Sequence, residues 1–296
     1  MIRDTETLQI LLDSLRQFVT EVLIPPENEG ADTDAIPQDI VEQMREMGLF
    51  GLTLPEEFGG LGVTMEEEVN IAFELGRTSP AFRSYIGTNN GIGSIGILLD
   101  GTEEQKHHYL PKLASGELLS SFCLTEPDAG SDAASLKTNA VRDGDSYILN
   151  GTKRFITNAP HAGIYTVMAR TNSEIRGAAG ISAFIVERGT PGVSLGKPDH
   201  KMGHKGAHTC DVIFENARVP AGQLIGGVEG VGFKTAMKVL DKGRLHIAAL
   251  SVGAAERMLD DALRYAMERK QFGKPIAEFQ LLQAMLADSK AEIYAS

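Results

Sequence analysis

The period of the hydrophobic pattern changes twice along this chain, and no other feature limits its fold as much. Leu8, Leu11, Leu12, Leu15, Phe18, Val19 and Val22 recur at helical spacing and form one apolar stripe. Pro25-Pro26 stops that helix. Pro37 opens another over Ile40, Val41, Met44 and Met47, with Gly48 placed as its C-cap. Thr64 precedes a helix running from Met65 to Gly76, and Thr102-Glu103-Glu104-Gln105 spells a capping box. From Ser120 to Val219 the apolar segments turn short and β-branched. Asp143-Gly144 lies between Ala140-Val141 and Tyr147-Ile148-Leu149, a hairpin signal, and residues 164–169, 181–186 and 212–214 read as further strands. Because no helical segment separates these strands, the expectation is a small antiparallel barrel or sandwich and not a parallel sheet with crossovers. A long helical pattern returns from Val231 to about Glu268, breaks at Gly273-Lys274-Pro275, and resumes with Phe279, Leu282, Met285, Leu286 and Ile293. The expected fold class is α+β: an N-terminal α-helical domain (1–119), a central antiparallel β barrel or sandwich (120–224), and the start of a C-terminal helical bundle (225–296), incomplete here.

Several function classes are excluded by composition. Lys and Arg number 28 against 40 Asp and Glu, so the formal net charge is 28 − 40 = −12. Such an acidic chain is poorly suited to general nucleic-acid binding, which needs clustered cations. Neither Cys123 nor Cys210 belongs to a CxxC or a Cys/His cluster, and His200, His204 and His208 fall in a glycine-containing segment that reads as a loop, so no metal site is expected. The N-terminus has no apolar signal core and no stretch approaches bilayer length, so a cytoplasmic protein without a membrane span is expected. Gly91-Ile92-Gly93-Ser94-Ile95-Gly96 spells GxGxxG, but no strand–helix alternation surrounds it. Tight helix packing through small residues is the expected role.

Four segments carry chemistry. Phe122-Cys123-Leu124-Thr125-Glu126-Pro127-Asp128-Ala129-Gly130-Ser131-Asp132 is a strand running into a loop of small residues, able to point amides and hydroxyls at a phosphate or a heterocycle edge. It resembles the flavin-binding signature of the acyl-CoA dehydrogenase family. Asn150-Gly151-Thr152-Lys153-Arg154-Phe155-Ile156-Thr157-Asn158-Ala159 is similar to that family's next flavin contact, G-x-K-x-W-I-T-N-A, with Phe155 in place of the usual Trp. Glu268 to Ile276 followed by Phe279-Gln280 resembles R-x-x-F-G-x-P-I-x-x-F-Q, and Leu240-Asp241-Lys242-Gly243-Arg244 resembles L-D-x-G-R. Residues alone would read the last two as a helix end and a solvated charged patch.

The resemblance runs from about Leu8 to Ser296 and implies an FAD-dependent enzyme. A glutamate of the family abstracts the α-proton of an acyl-CoA thioester while a hydride leaves the β-carbon for the flavin. It implies cofactor contacts at Phe122, Leu124, Thr125, Gly130, Ser131, Phe155, Ile156 and Thr157, with Arg269, Phe272 and Gln280 reaching FAD held mainly by a neighbouring subunit. Ser131, Asp241 and Arg244 become substrate contacts. Implied partners are an acyl-CoA substrate, an electron-transfer flavoprotein as acceptor, and a second or further copy of the chain in a homodimer or homotetramer. Neither usual position of the base supplies a carboxylate: one is Gly243, and the other is expected beyond Ser296, so no catalytic base is assigned and a truncated chain is expected. Alternatives on the same fold are a flavin monooxygenase or oxidase, or a non-catalytic flavin- or acyl-CoA-binding paralogue.

Overall fold

A computed structural model describes residues 3–296. The N-terminal third is helical. Helix α1 (Thr5–Phe18) is capped by Asp4, whose carboxylate accepts from the backbone N–H of Glu6 and Thr7, and it runs on into a π-helical turn at Val19–Leu23. Helices α2 (Glu27–Thr33) and α3 (Gln38–Glu46) follow, and Gly48 takes the left-handed conformation (φ 71°) expected just past a helix end. Helix α4 (Met65–Gly76) begins with a complete capping box between Thr64 and Glu67. Helices α5 (Pro80–Gly87), α6 (Ile95–Asp100) and α7 (Glu103–Ala114) complete the layer, the last with the Thr102/Gln105 box foreseen from sequence. The predicted stripe is the core: Leu8, Leu12, Leu15 and Phe18 pack with Val41, Met44, Ile71 and Leu75.

The middle of the chain is one curled sheet. Its strands are β1 (Ser120–Cys123), β2 (Asn139–Asp143), β3 (Ser146–Thr157), β4 (Ile164–Arg170), β5 (Ile181–Glu187), β6 (Val193–Leu195) and β7 (Thr209–Pro220). The order is β1-β4-β2-β3-β7-β6, with β5 on β4. Most pairings are antiparallel, as expected, and β2 and β3 form the hairpin turning at Gly144 (φ 58°). One expectation is corrected. Strand β1 runs parallel to β4, from Ser120 opposite Ile164 to Cys123 opposite Val167, and β2 meets β4 in the parallel sense at Asn139–Arg170. The chain links β1 to β4 through the β2–β3 hairpin and not through a crossover helix, so the absence of helical pattern between the strands did not forbid parallel pairing. Strands β1, β4 and β5 are buried almost throughout, as befits strands covered on both faces.

Helix α8 (Gly232–Glu268) leaves the sheet and crosses α4. The crossing needs glycine on both sides. A Cβ on Gly76 would stand 2.3 Å from the Leu250 carbonyl oxygen, and one on Gly253 2.0 Å from that of Phe73. Helix α9 (Gln280–Ala295) folds back along α8, where Lys290 pairs with Glu256 at 2.6 Å, while Leu281 and Met285 stay exposed. The backbone contact gives a direct test. Gly253→Ala should lose about 1–3 kcal/mol to overpacking, whereas Ser251→Ala, at an exposed site on the same helix, should stay within about 0.5 kcal/mol. Urea unfolding midpoints of the two variants measure the difference.

Candidate active site

A buried ion pair shapes the loop that carries the first flavin-like motif. Lys153 on β3 is fully buried, and its Nζ donates to Glu126 Oε1 at 2.7 Å and to the Leu124 carbonyl at 3.2 Å. Glu126 also accepts from the backbone N–H of Lys137 (2.6 Å) and Thr138 (2.9 Å). Desolvation opposes ionisation of Glu126, but Lys153 and the donated hydrogen bonds outweigh it and hold the carboxyl below its usual range. A further backbone bond, Arg154 N–H to the Thr125 carbonyl at 2.8 Å, ties the loop to β3. The loop therefore cannot shift without the strand.

Strand β3 changes register with β7 between Lys153 and Ile156, a bulge that takes in Phe155. Phe155 has φ 58°, uncommon for a bulky residue, and stands 58% exposed. The Arg154 guanidinium lies 4.8 Å from its ring centroid and is itself held by Asp211 at 2.9 Å. The bulge thus turns one aromatic face out of the sheet.

Between the loop and the bulge lies a cleft of about 500 Å³. Phe122, Leu124, Thr125, Gly130, Ser131, Phe155, Ile156 and Thr157 all line it, so the two motif segments meet as its walls. The opposite wall is a face of α8: Phe233, Met237, Leu240 and Arg244. Those four recur at helical spacing; the L-D-x-G-R string had marked Leu240 and Arg244, whereas Phe233 and Met237 become interpretable only from the position of the sheet. Ile92, from the GxGxxG segment, is also in the lining, so that segment borders a cavity as well as packing tightly; a Cβ on Gly93 would be 2.2 Å from Ser120 Oγ. The remaining expected contacts lie elsewhere. Asp241 is outside the lining and reaches the site only through Arg244, 3.6 Å away. Arg269, Phe272 and Gln280 sit at the α8–α9 connection, away from the cleft walls, with Phe272 94% exposed.

Ile92, Thr157, Leu240 and Arg244 also line a second cavity of about 700 Å³, shared by α5 and α8. Gly243 is on its wall. Among the residues lining the two cavities, Asp132 alone carries a carboxylate, and it accepts a hydrogen bond from the Ser135 hydroxyl.

Three family models match in chain order: the N-terminal, middle and C-terminal domains of acyl-CoA dehydrogenase, over residues 5–117, 121–217 and 230–296. An acyl-CoA dehydrogenase of Bacillus subtilis is 42% identical over 284 residues, covering 96% of this chain and 74% of that protein. The chain belongs to the acyl-CoA dehydrogenase family. The caffeyl-CoA reductase–Etf complex subunit CarC of Acetobacterium woodii is 42% identical over 281 residues, 95% of this chain and 73% of that one. The structure of butyryl-CoA dehydrogenase from Megasphaera elsdenii matches with a TM-score of 0.94 at 36% identity, covering 100% of this chain and 78% of that one. Members of this family are FAD-dependent flavoproteins, oxidoreductases acting on the CH–CH bond of acyl-CoA thioesters, and the function of this chain is of that type. The cleft suits such a cofactor: an exposed aromatic side chain and aliphatic walls for a flat ring, with Thr125 and Thr157 also in the lining.

The ion pair beneath the loop makes a pH prediction. A carboxyl with a folded-state pKa below its unfolded value, about 4.3, contributes stability that is present above that value and is lost as pH falls through the lower folded one. Acid unfolding of the wild type should therefore steepen below about pH 4. Glu126→Gln, which leaves Lys153 buried without its counter-charge, should lose about 3–5 kcal/mol at neutral pH. Glu126→Gln/Lys153→Met should recover part of that loss, which denaturant titration at pH 7 and pH 4 would measure.

Proposed function

We propose that the cleft between the 122–131 loop, the β3 bulge and α8 holds the flavin ring, and that the acyl thioester lies against it on the side of Leu240 and Arg244. The observation that carries this reading is the meeting of two separate sequence segments, whose motif residues line one cleft. In this arrangement Phe122, Leu124 and Ile156 exclude water from the ring, Phe155 stacks on it, and the Thr125 and Thr157 hydroxyls donate to its edge. Gly130 leaves the loop backbone open to the cofactor. Ser131 and Arg244 orient the pantetheine arm, with Asp241 holding the Arg244 guanidinium. When bound, FAD supplies the hydride acceptor for α,β-dehydrogenation.

Arg269, Phe272 and Gln280 complete the reading from outside the chain's own cleft. Their exposed position at the α8–α9 connection suits contact with FAD in a second copy, in a homodimer or homotetramer. Electron-transfer flavoprotein is the proposed electron partner, supported by the Etf-complex relative. Cytoplasmic operation belongs to the same reading and is supported by two buried free thiols, Cys123 and Cys210. We also take 1–119, 120–224 and 225–296 as the three structural units.

The test is anaerobic and optical. The purified full-length holoprotein, with the base expected beyond Ser296, should be yellow, should bleach when an acyl-CoA is added, and should regain colour from the reduced state when the matching enoyl-CoA is added. A protein that holds FAD but responds to neither thioester would refute the assignment; rapid oxygen consumption by the reduced flavin would favour an oxidase. Arg269→Ala should weaken FAD retention by about 1.5–3 kcal/mol, the worth of a hydrogen bond to a charged group, measured as flavin released on dialysis.

A further inference from the structure

Resting on the flavin and acyl-CoA reading above, we propose that Asn158 is a positioning residue for the reaction: from the end of β3 it holds α5 in place beside the flavin edge and so sets the width of the acyl cavity.

Asn158 follows Thr157, the last residue of β3, which lines both cavities. It is completely buried and has φ 60°, a conformation that Asn tolerates better than most residues with a side chain. Its backbone is engaged on both sides. The N–H donates to the His208 carbonyl at 2.8 Å, and the carbonyl accepts from the N–H of His161 and of Ala162, both at 2.9 Å. Three hydrogen bonds therefore hold the turn by which the chain leaves the sheet.

The side chain reaches α5. Its Nδ2 lies 3.0 Å from the Ser84 carbonyl, 3.0 Å from the Tyr85 carbonyl and 2.9 Å from Thr88 Oγ1. Ser84 and Tyr85 are in the last turn of α5 (Pro80–Gly87), where carbonyls have no N–H of their own helix to accept from. Asn158 thus caps the C-terminal end of α5 from the sheet. Two amide hydrogens serve three acceptors, while Oδ1 is buried without a partner. Turning the amide over would set Oδ1 against two carbonyl oxygens, so α5 alone dictates its orientation. An unpaired buried acceptor costs free energy. What the arrangement secures is the place of α5.

That place matters to the chemistry because α5 is a cavity wall. Arg83, Ser84, Gly87 and Thr88 line the second cavity, with His246 and Ile247 of α8 also on it. A second tie lies beside the first. Ser84 Oγ is hydrogen-bonded to His204 Nε2 at 2.7 Å, and the loop carrying His204 rejoins Asn158 through the His208 carbonyl. One joint therefore links α5, the end of β3 and the loop before β7, one residue from Thr157. Reacting atoms must stand about 3–3.5 Å apart, and a displacement of about 1 Å can cost about 100-fold in rate. An acyl chain resting on α5 would carry any slack in this joint to its α–β bond.

The experiment mixes the full-length holoprotein anaerobically with butyryl-CoA, octanoyl-CoA or palmitoyl-CoA in stopped flow. Asn158→Gly keeps the backbone conformation accessible and removes the amide donors to α5. At saturating thioester its flavin reduction, counted per bound flavin, should be slower by about 10–100-fold. The half-saturating concentration should move by less than about threefold, because the loss falls on the reacting geometry and not on binding. The ratio of rates between the best and the worst chain length should shrink by about threefold or more, as a loosened wall discriminates less. Asn158→Ser, which keeps one hydroxyl donor, should fall between Asn158→Gly and the wild type. A residue that only stabilised the fold would lower the urea midpoint or the flavin content and leave both the rate per flavin and the chain-length ratio as in the wild type; that result overturns the positioning role and leaves the acyl-CoA reading standing. A wild type bleached by none of the three thioesters overturns both. If Asn158→Gly fails to fold, Asn158→Ser decides by the same two readings.

Discussion

The Lys153–Glu126 pair underlies the geometry of the cleft. It is buried, so its attraction is little screened, and it joins the loop after β1 to the middle of β3. Such pairs rarely add much net stability, because taking two charges out of water offsets most of their attraction. Their effect is on position. Glu126 accepts from two backbone amides eleven and twelve residues downstream while it meets Lys153, so the 124–138 connection has few ways to close. Thr125 and Ser131 hang from that fixed loop, and Phe155 sits two residues from the lysine. One interaction therefore sets the spacing between both walls.

What the sequence made legible is what a period or a local motif encodes. The helical stripe of α1, the boxes at Thr64 and Thr102, the Asp143-Gly144 turn and the α–β–α order each depend on residues close in the chain, and each is present. The motif strings brought nine expected contacts, Arg244 among them, to one cleft without knowledge of the sheet. Strand direction was less accessible. β1 and β4 are buried on both faces, and a doubly buried strand has no alternation to reveal its neighbour. The bulge at Phe155 was hidden for a related reason: only the partner strand shows that a residue is extra.

Half of the α8 wall was hidden differently. Phe233 and Met237 share the helical spacing of Leu240 and Arg244, which the L-D-x-G-R string marked, but α8 also buries Ala236, Val239, Ala249 and Leu250. A helix surrounded on several sides shows a weak stripe, so its cleft-facing row does not stand out. Arg83 and His246 were further from reach. They lie 163 residues apart by number and meet only because α5 and α8 line one cavity. Single charged residues in helices read as solvent-facing, and nothing local marks these two as inward.

Helix α8 is also where fold and site become one problem. At Gly253 its backbone touches that of α4; ten residues earlier, Gly243 and Arg244 face the cavities. His246 lies between them and meets Glu68, a residue of α4. The contact that lets the two helices approach thus fixes the distance between the Glu68 carboxylate and the cavity wall. Substituting a larger residue at Gly76 or Gly253 would push α8 away from α4, part Glu68 from His246, and widen the cavity together. The His246–Glu68 contact beside the cavity is therefore set by helix packing outside it.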